Sequence, residues 1–95
     1  MTTFKKLKFI PYGQAHTEIF DNGAKYLFSY LTMVAHISED GWLTIYGLYS
    51  QTTRKHISAF LREYAPAIDY QCAKKCYADG LKINIHTGEV LPVDE

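Results

Sequence analysis

Lys25-Tyr26-Leu27-Phe28-Ser29-Tyr30-Leu31-Thr32-Met33-Val34-Ala35-His36-Ile37, then Ser38-Glu39-Asp40-Gly41, then Trp42-Leu43-Thr44-Ile45-Tyr46-Gly47-Leu48-Tyr49 is the stretch that decides the fold. Two runs rich in β-branched and aromatic residues flank a short polar segment ending in glycine, the pattern of antiparallel strands joined by a turn. Side chains alternate along a strand, so the loop length fixes which residues share a face. A three-residue loop with Gly41 left-handed pairs Ser38 with Trp42. That register puts Leu27, Leu31, Met33, Ala35, Ile37, Leu43 and Ile45 on one face. Tyr26, Phe28, Tyr30, Thr32, His36, Trp42, Thr44 and Tyr46 share the other. A two-residue loop would mix the two sets, so a bulged hairpin over about 25–49 is expected. Its aromatic face either lies under the N-terminal arm or forms a contact surface, with Tyr26, Tyr30, Trp42 and Tyr46 as the candidate contact residues.

Past the hairpin the period changes. Ile57, Phe60, Leu61 and Tyr64 recur at i, i+3, i+4 and i+7, which predicts a helix over about 52–65. Ser50, Thr52 or Thr53 can cap its start, and Pro66 stops it. Asp69 is a plausible cap for a second helix over about 69–79, with Gly80 in the terminating position. Leu81, Ile83 and Ile85 then alternate with Lys82, Asn84 and His86 into a turn at Thr87-Gly88, and Val90 and Leu91 can return as a short partner strand. The N-terminal arm can form a strand up to Pro11. The expected class is α+β, an antiparallel sheet packed against two helices with a C-terminal strand or hairpin. No repeat, low-complexity segment or linker divides residues 1–95, so a single domain is expected.

The chain has 95 residues, of which 47% are hydrophobic, including eight Tyr and five Phe, enough to fill one modest core and to argue against disorder. Ten basic and ten acidic residues balance, so long-range attraction to nucleic acid or an anionic membrane is weak unless the charges are segregated. No apolar run follows Met1-Thr2-Thr3-Phe4-Lys5-Lys6 to serve as a signal peptide, and no window is long and apolar enough for a transmembrane helix. The expectation is a cytoplasmic protein without a membrane partner.

The start of the first helix carries the sharpest functional signal. A first turn exposes unpaired N–H groups and the positive end of the helix dipole, so acids are normally favoured there. Here no acid occurs from Gly41 through Arg62, whereas Ser50, Thr52, Thr53, Arg54, Lys55 and His56 bring hydroxyls and cations together. This group is a candidate site for an anion or an acidic partner. Simple capping, with Arg54 and Lys55 in water and His56 beside the core stripe, is the plainer alternative.

Cys72 and Cys76 share a helix face and could bind a metal with His86 or His56, yet the stripe Ile68, Cys72, Ala73, Cys76, Tyr77 reads more simply as core, so no metal and no cofactor is expected. The four histidines lie twenty or thirty residues apart and supply no catalytic pair. There is no Gly-x-Ser-x-Gly elbow and no phosphate-binding glycine loop, so the chain is expected not to be an enzyme and no catalytic residue is assigned.

Ser29-Tyr30, Thr32, Val34-Ala35, Gly41, Tyr49-Ser50, Thr52-Thr53, Lys55-His56-Ile57 and Phe60-Leu61 together resemble a pattern in small uncharacterised proteins of bacteriophages and mobile elements. The most specific part is Tyr49-Ser50-x-Thr52-Thr53-x-x-His56-Ile57. Some relatives carry Arg before the histidine; Lys55 keeps the charge there without the bidentate geometry. The resemblance implies a phage-type context, in the cytoplasm of the host bacterium, and no established activity. The expected function is a non-enzymatic interaction protein, an accessory factor or inhibitor that meets a host or phage protein. The alternative is a nucleic-acid binder using Arg54, Lys55, Arg62, Lys74 and Lys75 for phosphates and tyrosines for stacking.

Overall fold

The polar segment after Ile37 turns the chain through its glycine. Gly41 takes φ +90°, the Gly41 amide donates to the Ser38 carbonyl at 2.9 Å, and the Ser38 amide donates to the Trp42 carbonyl at 2.9 Å. The Trp42 amide in turn donates to the Ser38 hydroxyl at 3.0 Å. This is the expected three-residue loop. A Cβ on Gly41 would meet both the wrong backbone region and the imidazole of His86, 2.5 Å away. Gly41→Ala should therefore cost about 1–2 kcal/mol, read as a fall in urea midpoint. Pairing it with His86→Ala should recover the crowding part of the loss and leave the backbone part.

In the computed structural model, which describes residues 3–6, 15–30, 32–48 and 51–93, the elements run β1 (Thr3–Lys6), β2 (Ala15–Ile19), β3 (Lys25–Ser29), β4 (Thr32–Ile37), β5 (Trp42–Ile45), α1 (Gln51–Tyr64), α2 (Tyr70–Ala78), β6 (Leu81–Asn84) and β7 (Val90–Pro92). The strands form one seven-stranded sheet in sequential order. Every neighbouring pair is antiparallel. The two helices are inserted between β5 and β6 without disturbing that order. The class is α+β, as the sequence predicts.

The run Lys25–Ile37 departs from its expected course. It folds back on itself, because Tyr30 adopts φ +58° and Ser29 pairs with Thr32 across the turn. Leu31 lies outside the described residues. A register shift then sets Leu27 opposite Ala35 and Phe28 opposite Met33, leaving Val34 as the extra residue. A bulge changes the facing of everything beyond it. Met33 accordingly pairs on the Phe28 side rather than the Leu27 side, and Val34, fully buried, fills the core in its place; Thr32, expected on the aromatic face, registers instead with Ser29.

The core gathers Leu27, Ala35, Ile37, Leu43, Ile45 and Ile83 from the sheet against Ile57, Phe60 and Leu61 of α1 and Ala73 and Cys76 of α2. Helix α1 rests on β3 and β4, and α2 on β5 and β6. The chain leaves α1 at Ala65, where Pro66 disfavours further helix, and the Ala65 amide makes the last turn's bond to the Leu61 carbonyl at 2.7 Å. Asp69 caps α2 by accepting from the Cys72 amide at 2.7 Å, a bond that satisfies one of the four otherwise unpaired N–H groups of the first turn. Gly80 follows with φ +71°. Both helices therefore cover one side of the sheet, and the alternation of the strands sends the aromatic set to the other.

Candidate functional site

Helix α1 begins at Gln51, so Thr52 and Thr53 stand within its first turn instead of capping it. Ser50 lies outside the described residues. The rest of the predicted group is divided by the helical period. Thr52, Arg54 and Lys55 are exposed, while Thr53 and His56 are buried at 4% and 2% exposure. His56 thus turns away from the surface that the two cations occupy. Its Nδ1 lies 2.7 Å from the Ser29 hydroxyl, tying α1 to the end of β3, and the Tyr30 ring sits 6.0 Å from the imidazole. Burial lowers the His56 pKa below its ordinary 6.5. A hydroxyl beside a neutral imidazole has the ingredients of a nucleophile and base, but both partners are sealed in the interior, where the bond serves as a tie.

Arg54 and Lys55 remain as an exposed cationic pair in a first turn that holds no acid. Among the described residues no ion pair engages either. Each cation near a helix start is unfavourable by about 0.3–1 kcal/mol, less where solvent and salt screen it.

The sheet face opposite the helices carries the larger constellation. Glu18, Tyr26, His36 and Thr44 line up in one row across β2 to β5. Tyr26 and His36 stack with ring centroids 4.4 Å apart and planes 20° from parallel. Phe20 tilts onto Tyr26 at 5.0 Å, and His16 lies flat on Phe28 at 5.0 Å. At the other end the Lys82 ammonium sits 5.4 Å over the Trp42 ring. Phe20 and Tyr46 are exposed at 41% and 43%, while Tyr26, Phe28, His36 and Trp42 are half-buried. Burial lowers the His36 pKa. It raises that of Tyr46, with the neighbouring Tyr26 adding to the effect.

Of the four aromatic residues singled out from the sequence, Tyr26, Trp42 and Tyr46 occupy this face. Tyr30 does not. The turn that it makes carries it, 57% exposed, toward His56 on the helix side. His16, Glu18 and Phe20 join the face without having been anticipated. The alternation Ala15-His16-Thr17-Glu18-Ile19 was the available signal, and it spans only five residues.

Cys76 packs in the core and Cys72 is exposed, so one side of the expected Ile68-to-Tyr77 stripe is open to solvent, Tyr77 included. Burial raises the Cys76 pKa, and the adjacent Cys72 adds to the shift. Among the described residues no three His, Cys, Asp or Glu side chains converge in a metal-binding group. A groove of about 210 Å3 opens where α1 meets α2, beside Ser58, Arg62 and Asp69. It is smaller than the ~300–1,000 Å3 of ordinary ligand pockets. Among the described residues no helix is long and apolar enough to cross a membrane.

The model of a family of unknown function matches residues 2–77. No curated protein and no solved structure matches the chain.

Proposed function

The chain belongs to this family of unknown function, DUF8033, and for it we propose a small non-enzymatic interaction protein, a phage or mobile-element accessory factor or inhibitor that docks on a protein in the cytoplasm of the host bacterium. One observation carries the proposal. Among the described residues the seven-stranded sheet is covered by helices on one side, and its other side presents Phe20, Tyr26, Phe28, Trp42 and Tyr46 with His16 and His36 among them. Aromatic residues concentrate binding energy at protein interfaces, since a rigid ring buries much area for little lost rotamer freedom. The phage-type context rests on the resemblance of the Tyr49-to-Leu61 pattern.

The exposed pair Arg54 and Lys55 favours a second reading, contact with phosphates of a nucleic acid. The two readings separate by measurement. Capture from host lysate, quantified by mass spectrometry, should yield a protein that binds the native chain and is lost with Phe20→Glu/Tyr46→Glu. Arg54→Ala/Lys55→Ala should retain the fold and leave that capture within about 2-fold, since the pair sits on the exposed side of α1, in the helix layer. If instead oligonucleotides bind with a steep salt slope that the Arg54/Lys55 variant reduces, and the aromatic variant captures as well as the native chain, the nucleic-acid reading replaces the first.

A further inference from the structure

We propose that Cys72 and Cys76 form a two-thiolate site on α2 for a soft monovalent cation of the Cu(I) class. The site lies in the helix layer, on the element that packs over β5 and β6, so it stands independently of the aromatic docking face.

Packing explains only half of the pair. Cysteine is among the most buried residue types and behaves in a core as a small hydrophobe. Cys76 fits that account, in one cluster with Ile68 and Ala73, whereas Cys72 is exposed. Yet the two thiols interact. Burial is the leading cause of the raised Cys76 pKa, and the charge and a hydrogen bond from Cys72 add to it. The sulfurs therefore share one spot at the boundary of core and solvent, with Cys72 on the open side as the way in for an ion.

Helix geometry decides what such a pair can hold. Residues four apart carry Cβ atoms about 5–6 Å apart, against the ~3.5–4.5 Å that a disulfide requires. Closing a disulfide would force open a turn that Asp69 caps through the Cys72 amide at 2.7 Å and that the Asp79 amide closes on the Lys75 carbonyl at 3.0 Å. Two sulfurs on opposite sides of a single ion stand about twice a metal–sulfur bond apart, ~4.6 Å at ~2.3 Å per bond. Side-chain rotation supplies that spacing on an intact helix.

Coordination number then narrows the ion. Structural zinc takes four ligands, and among the described residues no group of three His, Cys, Asp or Glu converges. Soft thiolates select Cu(I), which two of them can satisfy. Two thiolates around one monovalent cation keep a single negative charge. Lys75 favours that charge at Cys76, and Asp79 opposes it.

Anaerobic titration of the reduced native chain with Cu(I), in competition with the chromophoric chelator bicinchoninate, tests the proposal. The chain should withhold one equivalent from the chelator. Cys72→Ser, at an exposed position, should keep the fold by circular dichroism and weaken retention by more than the ~10–100-fold that loss of an outer partner costs a metal site. Adding Gln71→Cys to that variant restores the number of thiols but sets the second one off the shared face, and should not restore retention. If Cys72→Ser does not fold, alkylation of Cys72 in the folded native chain takes its place, with the same expected loss. A native chain that withholds no Cu(I) overturns the proposal, as does retention indifferent to Cys72 or recovered with Gln71→Cys. Uptake of half an equivalent, with two chains per ion by sedimentation, would overturn the single-chain site.

Discussion

Phe60→Ala should lower the stability of the fold by about 3–5 kcal/mol, the largest effect expected of any single substitution here. Phe60 is fully buried in the middle of α1, sharing one cluster with Leu27, Val34, Ile57 and Leu61. Its ring also meets Tyr64 at 5.3 Å with the planes 53° apart. Truncation removes the transfer free energy of the ring and leaves a cavity between helix and sheet that neither can close without moving the other. A domain of this size has on the order of 5–15 kcal/mol in all. Urea unfolding followed by circular dichroism should show a midpoint lowered by about 1–5 M, given a slope near 1–3 kcal/mol per M, or no folded baseline. Tyr77→Ala, at an exposed position of α2, is the matched control and should fall within about 1 kcal/mol of the native chain. A loss below about 1 kcal/mol for Phe60→Ala would mean that α1 does not close the core.

How far the sequence discloses this architecture depends on whether a feature is local. The Ser38-to-Trp42 loop is legible because Gly41 answers a backbone demand that few other residues meet. The same holds for the Asp69 cap and for the i, i+3, i+4 stripe of α1. The turn between β3 and β4 is not legible, since Ser29, Tyr30 and Leu31 include no glycine, proline, asparagine or aspartate. The bend there is imposed by strand pairing, and Tyr30 takes a left-handed conformation that its own side chain does not favour. One unforeseen turn reorganises an entire face. With the bulge beside Leu27, it replaces Met33 by Val34 in the core and removes Tyr30 and Thr32 from the aromatic surface.

The candidate site is split in a similar way. Gathering Ser50 to His56 by chemistry alone obscures a period that is already present, because Thr53, His56, Ile57 and Phe60 follow the spacing of a buried helix face. The polarity of His56 hides its place in that stripe. Only a partner distant in sequence, Ser29, makes its burial affordable by satisfying Nδ1. What remains outside is a pair of cations, and the larger surface is an aromatic array assembled from β2, β3, β4 and β5, which no local spacing announces.

Acidification should destabilise the fold between about pH 6.5 and 5, before most carboxylates protonate. Burial lowers the pKa of both His36 and His56 in the folded state. Each imidazole is therefore held neutral, whereas the unfolded chain takes up a proton near the ordinary value of 6.5. The unfolded state binds more protons, so stability is fully present above 6.5 and is lost as pH falls toward the depressed folded values. The slope is at most about 1.4 kcal/mol per pH unit for each proton. Urea midpoints at pH 7.5, 6.5, 5.5 and 5.0 should fall for the native chain, and His56→Gln, which keeps a hydrogen-bonding group toward Ser29, should flatten the curve at some cost at pH 7.5. A native midpoint unchanged to pH 5 would mean that neither imidazole is held neutral by the fold. The two histidines also differ in where they sit. His56 lies between α1 and β3. His36 lies in the aromatic row, stacked on Tyr26, so His36→Gln should remove a separate share of the slope.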